Sequence, residues 1–213
     1  MANVILHSYW RSSSSYRVRL ALALKKVPHE VSTVNLVAGE QKAEAYMKAK
    51  NPMGNVPCLI VDGEPFIESV AIIELLEDLY PEPALFPKNP KERAHVRALV
   101  EVINSGTQPF QNLSVLNRFD TEEAKKSWAA SFIARGLGAF EALLEGTAKA
   151  GPFCCGDRVT VADVFLAPQV MGAVRFGVDL SAMPRLRRAN DALLALPEIQ
   201  AARPENQPDA PKT

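Results

Sequence analysis

Between Tyr80 and Lys91 the chain reads YPEPALFPKNPK, and its four prolines rule out both a continuing helix and an inner strand. This stretch separates two regimes. Before it, strand-like and helix-like periods alternate. After it, every strong pattern has helical period, over about 91–117, 121–147, 160–174 and 183–195. Two domains are therefore expected, residues 1–82 and 91–213. Within the second, Thr160-Val161-Ala162-Asp163 reads as a capping box with aspartate where glutamate is commoner. The helix it opens carries Val164, Phe165 and Leu166, is apolar on most sides and is expected at the centre of its domain. The polar, proline-rich tail RPENQPDAPKT reads as a loose surface strap.

The first domain resolves further. Val4-Ile5-Leu6 reads as a buried strand, residues 15–26 as a helix, and Glu30 to Leu36 as a β-branched second strand. Residues 40–50 suggest a surface helix. Pro57 to Val61 and Glu64 to Ile67 flank Asp62-Gly63, a two-residue hairpin signal. Ser69 is then expected to cap a helix with Ile72, Ile73, Leu75, Leu76 and Leu79 on its core face. The order βαβ, α, ββα implies a right-handed parallel crossover followed by antiparallel strands. That is the order of an α/β, thioredoxin-like N-terminal domain, here followed by an all-α C-terminal domain.

Charge narrows the function. Lys plus Arg and Asp plus Glu both total 24, so the net charge is 24 − 24 = 0 and no general attraction to nucleic acid or acidic membrane follows. No apolar run of ~18 residues could span a bilayer, and Met1 to His7 lacks the pattern of a signal peptide. Cys58, Cys154 and Cys155 do not form a secreted disulfide framework, so they are expected to be packing thiols in a reducing cytoplasm. No His/Cys spacing suggests a metal, and His7 and His95 read as structural or surface residues.

Three segments carry chemistry. Ser8 to Arg19 (SYWRSSSSYRVR) joins the first strand to the first helix, and a hydroxyl-rich helix start offers N–H groups and a positive dipole end to an anion. The same residues equally serve as a plain N-cap run. Asn51 to Pro57 (NPMGNVP) precedes the third strand, where proline is either an edge device or a cis bond. In a thioredoxin-like plan Val56 would pair its backbone with an extended peptide by strand addition. Glu68-Ser69 suits an amino-acid head group, the carboxylate taking the ammonium and the hydroxyl with helix N–H groups taking the carboxylate. Together they describe a slot for a short peptide with a free amino-acid end and a thiol near Ser12–Ser14. Glutathione is such a molecule.

The run from Arg11 to Lys25 (RSSSSYRVRLALALK) resembles the signature of zeta-class glutathione transferases, which include the maleylacetoacetate and maleylpyruvate isomerases. Asn51-Pro52-Met53, Ala71-Ile72-Ile73-Glu74, Gln108 to Leu113 (QPFQNL), Gly156-Asp157, Ala162-Asp163, Pro168-Gln169-Val170 and Arg175-Phe176 extend the similarity over nearly the whole chain. The resemblance implies the glutathione-transferase fold, glutathione as cofactor and a homodimer with contacts near residues 60–80 and the first long helix of the second domain. The family commonly has Ser-Ser-Cys or Ser-Thr-Ser where this chain has Ser12-Ser13-Ser14. The missing cysteine weakens any reading as a thiol–disulfide reductase. Glu68 stands where some relatives have glutamine.

The implied reaction is glutathione-dependent cis–trans isomerisation of a maleyl keto acid, in aromatic or tyrosine-derived catabolism. A free thiol has pKa about 8.5, and lowering it by ~2 units requires ~2.7 kcal/mol of preference for the anion. Serine is too weak a base to take the proton and serves as a donor. The resemblance favours Ser12, with Ser13 and Ser14 as neighbours; Tyr9 is a rival phenol, set against a core role for it. Arg11 and Arg175 are implied partners for the two carboxylates of a dicarboxylate substrate. Gln108 is expected to reach glutathione or substrate with Asn112 supporting it, against a plain polar lining between domains. Gln41 could approach the glycine end. Two alternatives are a glutathione transferase acting on haloacids or other small electrophiles, and a non-catalytic glutathione-fold interaction module.

Overall fold

The structure, a computed structural model, describes residues 2–147 and 151–212. Met1, residues 148–150 and Thr213, which the two expected domains include, lie outside the described residues. The chain divides into two compact units, Met1–Pro83 with Pro197–Thr213, and Ala84–Leu196. The C-terminal segment therefore belongs with the first unit. This corrects the expectation that residues 91–213 form one helical domain ending in a loose strap. The reason is packing: Pro197–Ala202 and Pro204–Asn206 form 3-10 turns that bury Ile199, Ala202 and Pro204.

In the first unit β1 (Val4–Ser8) leads to α1 (Ser13–Leu24), β2 (Glu30–Thr33), α2 (Glu44–Ala49), β3 (Cys58–Val61), β4 (Glu64–Ile67) and α3 (Ser69–Leu79). The sheet order is β2-β1-β3-β4. β1 pairs parallel with β2, and β3 runs antiparallel to both β1 and β4. The inner strand β3 buries Cys58, Leu59 and Ile60, as a strand covered on both faces must. Asp62 and Gly63 both have positive φ, the geometry a two-residue hairpin requires. Helix α1 buries residues on every side, including Tyr16, Val18, Leu20 and Leu22, each apolar side chain contributing about 1.5–3 kcal/mol.

Details differ from the sequence reading: α1 spans Ser13–Leu24 rather than 15–26, and β2 ends at Thr33 rather than Leu36. The 40–50 segment is a 3-10 turn (Glu40–Lys42) and α2, because Ala43 between them is extended. Helix α3 buries Ile72, Ile73 and Leu76, whereas Leu79 is 48% exposed.

The second unit is helical: α4 (Pro90–Asn104), α5 (Leu113–Leu116), α6 (Glu122–Thr147), α7 (Val161–Phe176) and α8 (Pro184–Leu194). The single helix expected over 91–117 breaks after Asn104 into a 3-10 turn at Gln108–Gln111 and the short α5. Pro109 lacks the N–H that a continued helix needs. Thr107 is fully buried where a Cβ at Gly136 would strike its side chain, so α6 approaches this corner only because Gly136 has none. Among the described residues no helix is long and apolar enough to cross a membrane.

The capping box is present at α7, whose residues from Val161 through Val170 are all buried. Asp163 Oδ2 accepts from Thr160 N–H at 2.8 Å and Thr160 Oγ1–H at 3.0 Å, while Oδ1 accepts from Cys154 N–H at 2.8 Å. Burial pushes this carboxyl above the ordinary carboxylate range, against the lowering pull of those bonds. Asp163→Ala leaves three buried donors without their acceptor, and is expected to cost about 3 kcal/mol or more of stability. Urea unfolding checks this; an unchanged midpoint would remove the cap from the account of α7.

Candidate active site

Antiparallel register places the chemistry. His7 lies opposite Cys58 on β3, and Cys58 lies opposite Ile67 on β4. His7 also lies beside Ser32 on β2. The end of β1, the start of β3 and the ends of β4 and β2 therefore share one row of the sheet. Beyond that row the chain continues into Tyr9–Ser12, back into Val56–Pro57, on into Glu68–Ser69, and toward Gln41. The convergence that sequence spacing leaves open is a consequence of this pairing.

The first segment is a turn followed by a helix start. Ser12 N–H donates to Tyr9 C=O at 3.0 Å, and Ser12 is the N-cap of α1, its Oγ accepting from Ser15 N–H at 3.2 Å. Ser12 C=O accepts the N–H of Tyr16. Helix geometry leaves the N–H groups of Ser13 and Ser14 without intrahelical partners. No acidic residue stands in this first turn, so the positive end of the dipole is uncompensated. Because the Ser12 oxygen already accepts a hydrogen bond, its own proton is free to point at an anion. Ser12, Ser13 and Ser14 are half-buried, and Arg11 sets its guanidinium carbon 5.5 Å from the Trp10 ring centroid. Tyr9 is buried and packs with Val34 and Val56, a core position.

The second segment is a rigid loop. Asn51, only 1% exposed, donates from Nδ2 to Asn55 C=O at 3.1 Å and accepts Met53 N–H on Oδ1 at 2.9 Å. The Val56–Pro57 peptide is cis. Among the described residues the backbone of Val56 makes no hydrogen bond. Gly54 has φ +60, and a Cβ there would sit 2.8 Å from Gln41 C=O, so glycine lets the Gln41 loop lie against this one. Gln41 Oε1 is buried with no partner, and its Nε2 reaches Leu36 C=O only at 3.5 Å.

At the third segment the structure corrects the expected cap. Glu68, not Ser69, holds the N-cap position of α3, with φ 66, ψ 118 and no side-chain cap bond. A non-glycine residue there is strained by about 1–3 kcal/mol, and its side chain is exposed. Ser69 is the first helical residue, and its Oγ accepts from Arg17 Nη1 at 3.2 Å. Arg17 and Arg19 are 1% and 2% exposed, and neither was singled out by the sequence reading. No local signal marks their burial, because Ser13, Ser14 and Ser15 lie one turn before them on α1 and the pattern leaves room for a solvated face. Of the cysteines, Cys58 and Cys154 are buried, and burial raises both thiols, Cys58 to about 11.

Gln108, Asn112 and Arg175 belong to the second unit. Gln108 Nε2 donates to Asn112 Oδ1 at 2.6 Å, so these two stand together. Their turn is pinned to α7 by Gln111 Nε2 donating to Gln169 Oε1 at 2.8 Å. Gly172 lies against Gln111, and Arg175 follows three residues on, exposed, with its guanidinium carbon 5.1 Å from the Phe176 ring centroid. Residues with no role in the sequence reading, Gln111 and Gln169, thus carry the link between the 3-10 turn and α7.

This arrangement has counterparts among known proteins. Residues 6–84 match the glutathione S-transferase N-terminal domain, and residues 110–203 the C-terminal domain. A maleylacetoacetate isomerase of Mus musculus is 46% identical over 209 residues, covering 97% of this chain and 95% of that protein. Maleylacetoacetate isomerase from Anaeromyxobacter dehalogenans 2CP-1, solved with glutathione in its active site, is 49% identical with TM-score 0.89 and covers 99% of each chain. A bacterial maleylpyruvate isomerase of the zeta class is 39% identical with TM-score 0.94, covering 97% of this chain and 100% of that one. With both domains matched in order and similarity spanning nearly its full length, the chain belongs to the glutathione S-transferase family, in its zeta class.

Proposed function

We propose that the protein is a glutathione-dependent cis–trans isomerase of a maleyl keto acid, of the maleylacetoacetate or maleylpyruvate kind. The observation that carries this reading is the single row of His7, Cys58 and Ile67, which delivers the serine turn, Val56–Pro57 and Glu68–Ser69 to one end of the sheet. The residues fit glutathione: an uncompensated helix start, an unpaired Val56 backbone and the orphaned Gln41 Oε1 are the polar groups a γ-glutamyl tripeptide needs. When bound, glutathione supplies a thiolate nucleophile that adds reversibly to a conjugated double bond and so permits rotation about it.

The chain's own groups do the rest. The Ser12 hydroxyl, the N–H groups of Ser13 and Ser14 and the α1 dipole favour the ionised sulfur. Val56 pairs its backbone with the tripeptide, with Pro57 fixing the approach. Glu68 takes the ammonium, and Ser69, with Arg17 behind its hydroxyl, takes the adjacent carboxylate. Gln41 meets the glycine end. Arg11 and Arg175 are the carboxylate partners of the substrate, and Gln108 with Asn112 offers hydrogen bonds. Support for a diacid comes from the Anaeromyxobacter relative, also solved with dicarboxyethyl glutathione and citrate in its active site.

A role in aromatic catabolism and a cytoplasmic setting complete the reading, the latter supported by the buried free thiols of Cys58 and Cys154. A homodimer is proposed on family grounds, with the exposed Leu79 on α3 as a contact.

The decisive measurement follows maleylpyruvate and maleylacetoacetate absorbance with and without glutathione. Turnover of at least one, only with glutathione, is expected. If neither reacts while chloro-substituted acids are consumed, the transferase reading replaces this one. In the same assay Ser12→Ala is expected to raise the pKa of the bound thiol by about 1–2 units. The pH–rate profile then moves to higher pH, and activity at neutral pH falls about tenfold or more. Arg175→Ala is expected to lower kcat/KM for the diacid about 30-fold, leaving glutathione affinity within about twofold. Equal losses in both would assign Arg175 another role.

A further inference from the structure

The turn that presents Ser12 is clamped from two sides. Tyr9 C=O accepts from Arg19 Nη1 at 3.2 Å as well as from Ser12 N–H, and Trp10 C=O accepts from Arg19 Nη2 at 3.0 Å. The N–H of Trp10 donates to Asp209 Oδ2 at 3.0 Å, a bond spanning 199 positions of sequence. Asp209 is placed there by a built tail. Arg19 Nε holds Ala202 C=O at 2.9 Å, and Gln207 Nε2 donates to the carbonyls of Ala201 and Arg203 at 2.8 and 3.0 Å. Ile199, Ala202, Pro204 and Gln207 are buried beneath it.

We infer that Asp209 is a positioning residue for the sulfur site, its carboxylate locking the peptide that enters the Ser12 turn. The inference rests on the reading that the glutathione sulfur docks at Ser12. A hydroxyl stabilises an anion only over a narrow range of distance and angle. The Tyr9–Ser12 turn sets both. With the carbonyls of Tyr9 and Trp10 held by Arg19, the Tyr9–Trp10 peptide has one further anchor, its N–H on Asp209. Freed, that N–H lets the turn rock and spreads the Ser12 hydroxyl over orientations that no longer meet the sulfur. The carboxylate also faces the Arg19 guanidinium electrostatically, so the two clamps support each other.

The full-length chain with Asp209→Ala is expected to exchange its Trp10 amide faster, to bind glutathione about tenfold more weakly and to raise the bound thiol's pKa. Asp209→Asn keeps an oxygen acceptor for that N–H and is expected to restore all three, which loss of overall stability would not explain. Amide exchange by NMR, calorimetry and ultraviolet titration of the thiolate read them separately. Unchanged affinity and titration in Asp209→Ala, beside a perturbed Ser12→Ala, overturns the inference alone. Equal impairment of the Ala and Asn variants overturns it as well. A Ser12→Ala protein with unaltered sulfur titration overturns the docking reading and this inference with it.

Discussion

Arg19 is 2% exposed, and its guanidinium is held by four hydrogen bonds, to Ser8 Oγ and to the carbonyls of Tyr9, Trp10 and Ala202. Burying a cation costs several kcal/mol, and hydrogen bonds to a charged donor return about 1.5–3 kcal/mol each. Burial lowers its pKa to about 10, which leaves it protonated at neutral pH. The end of β1, the serine turn and the C-terminal segment are therefore organised around one charge that cannot leave. Removing it would strand carbonyls at the place where the chain must be most rigid.

Arg17, two residues earlier, looks the other way and reaches Ser69 at the start of α3. The pair thus connects the two helix starts proposed to hold the sulfur and the γ-glutamyl end of one tripeptide. This gives α1 an unusual task for a core helix. Its apolar residues fill the first unit, and its two arginines set loop geometry. The arrangement asks no side chain to act as a base. Ser12 accepts Ser15 N–H and keeps its proton for donation, and a donor row at a helix start lowers a thiol pKa without taking the proton itself.

The second unit applies the same economy to a different problem. Its 3-10 turn carries Gln108 and Asn112, and an amide pair between Gln111 and Gln169 ties that turn to the most buried helix. The capping box at Thr160 and Asp163 starts that helix and also fixes Cys154 N–H, so one carboxylate orders both a helix and the loop before it. Thr107 against Gly136 closes the corner.

Local signals were readable where the physics is local. The Asp62-Gly63 hairpin, the Thr160-Asp163 box and the Ser12 N-cap each depend on neighbours within a few residues, and each is present. Helical periodicity runs through the break after Asn104 and conceals it, although Gly106 and Pro109 mark it. The residue type of Ser69 suits a cap, while the backbone of Glu68 occupies that place. Arg17, Arg19 and Asp209 were not legible at all, since a buried arginine and a surface one look alike until their surroundings close around them. By itself, the sequence determined the order of strands and helices in the first unit, the hydroxyl-rich helix start and the family likeness, all of which follow from short-range pattern. Tertiary structure alone decided that the Asp209 side chain meets Trp10 and that Arg17 meets Ser69, because contacts between distant residues exist only once strand pairing and core burial have brought them together.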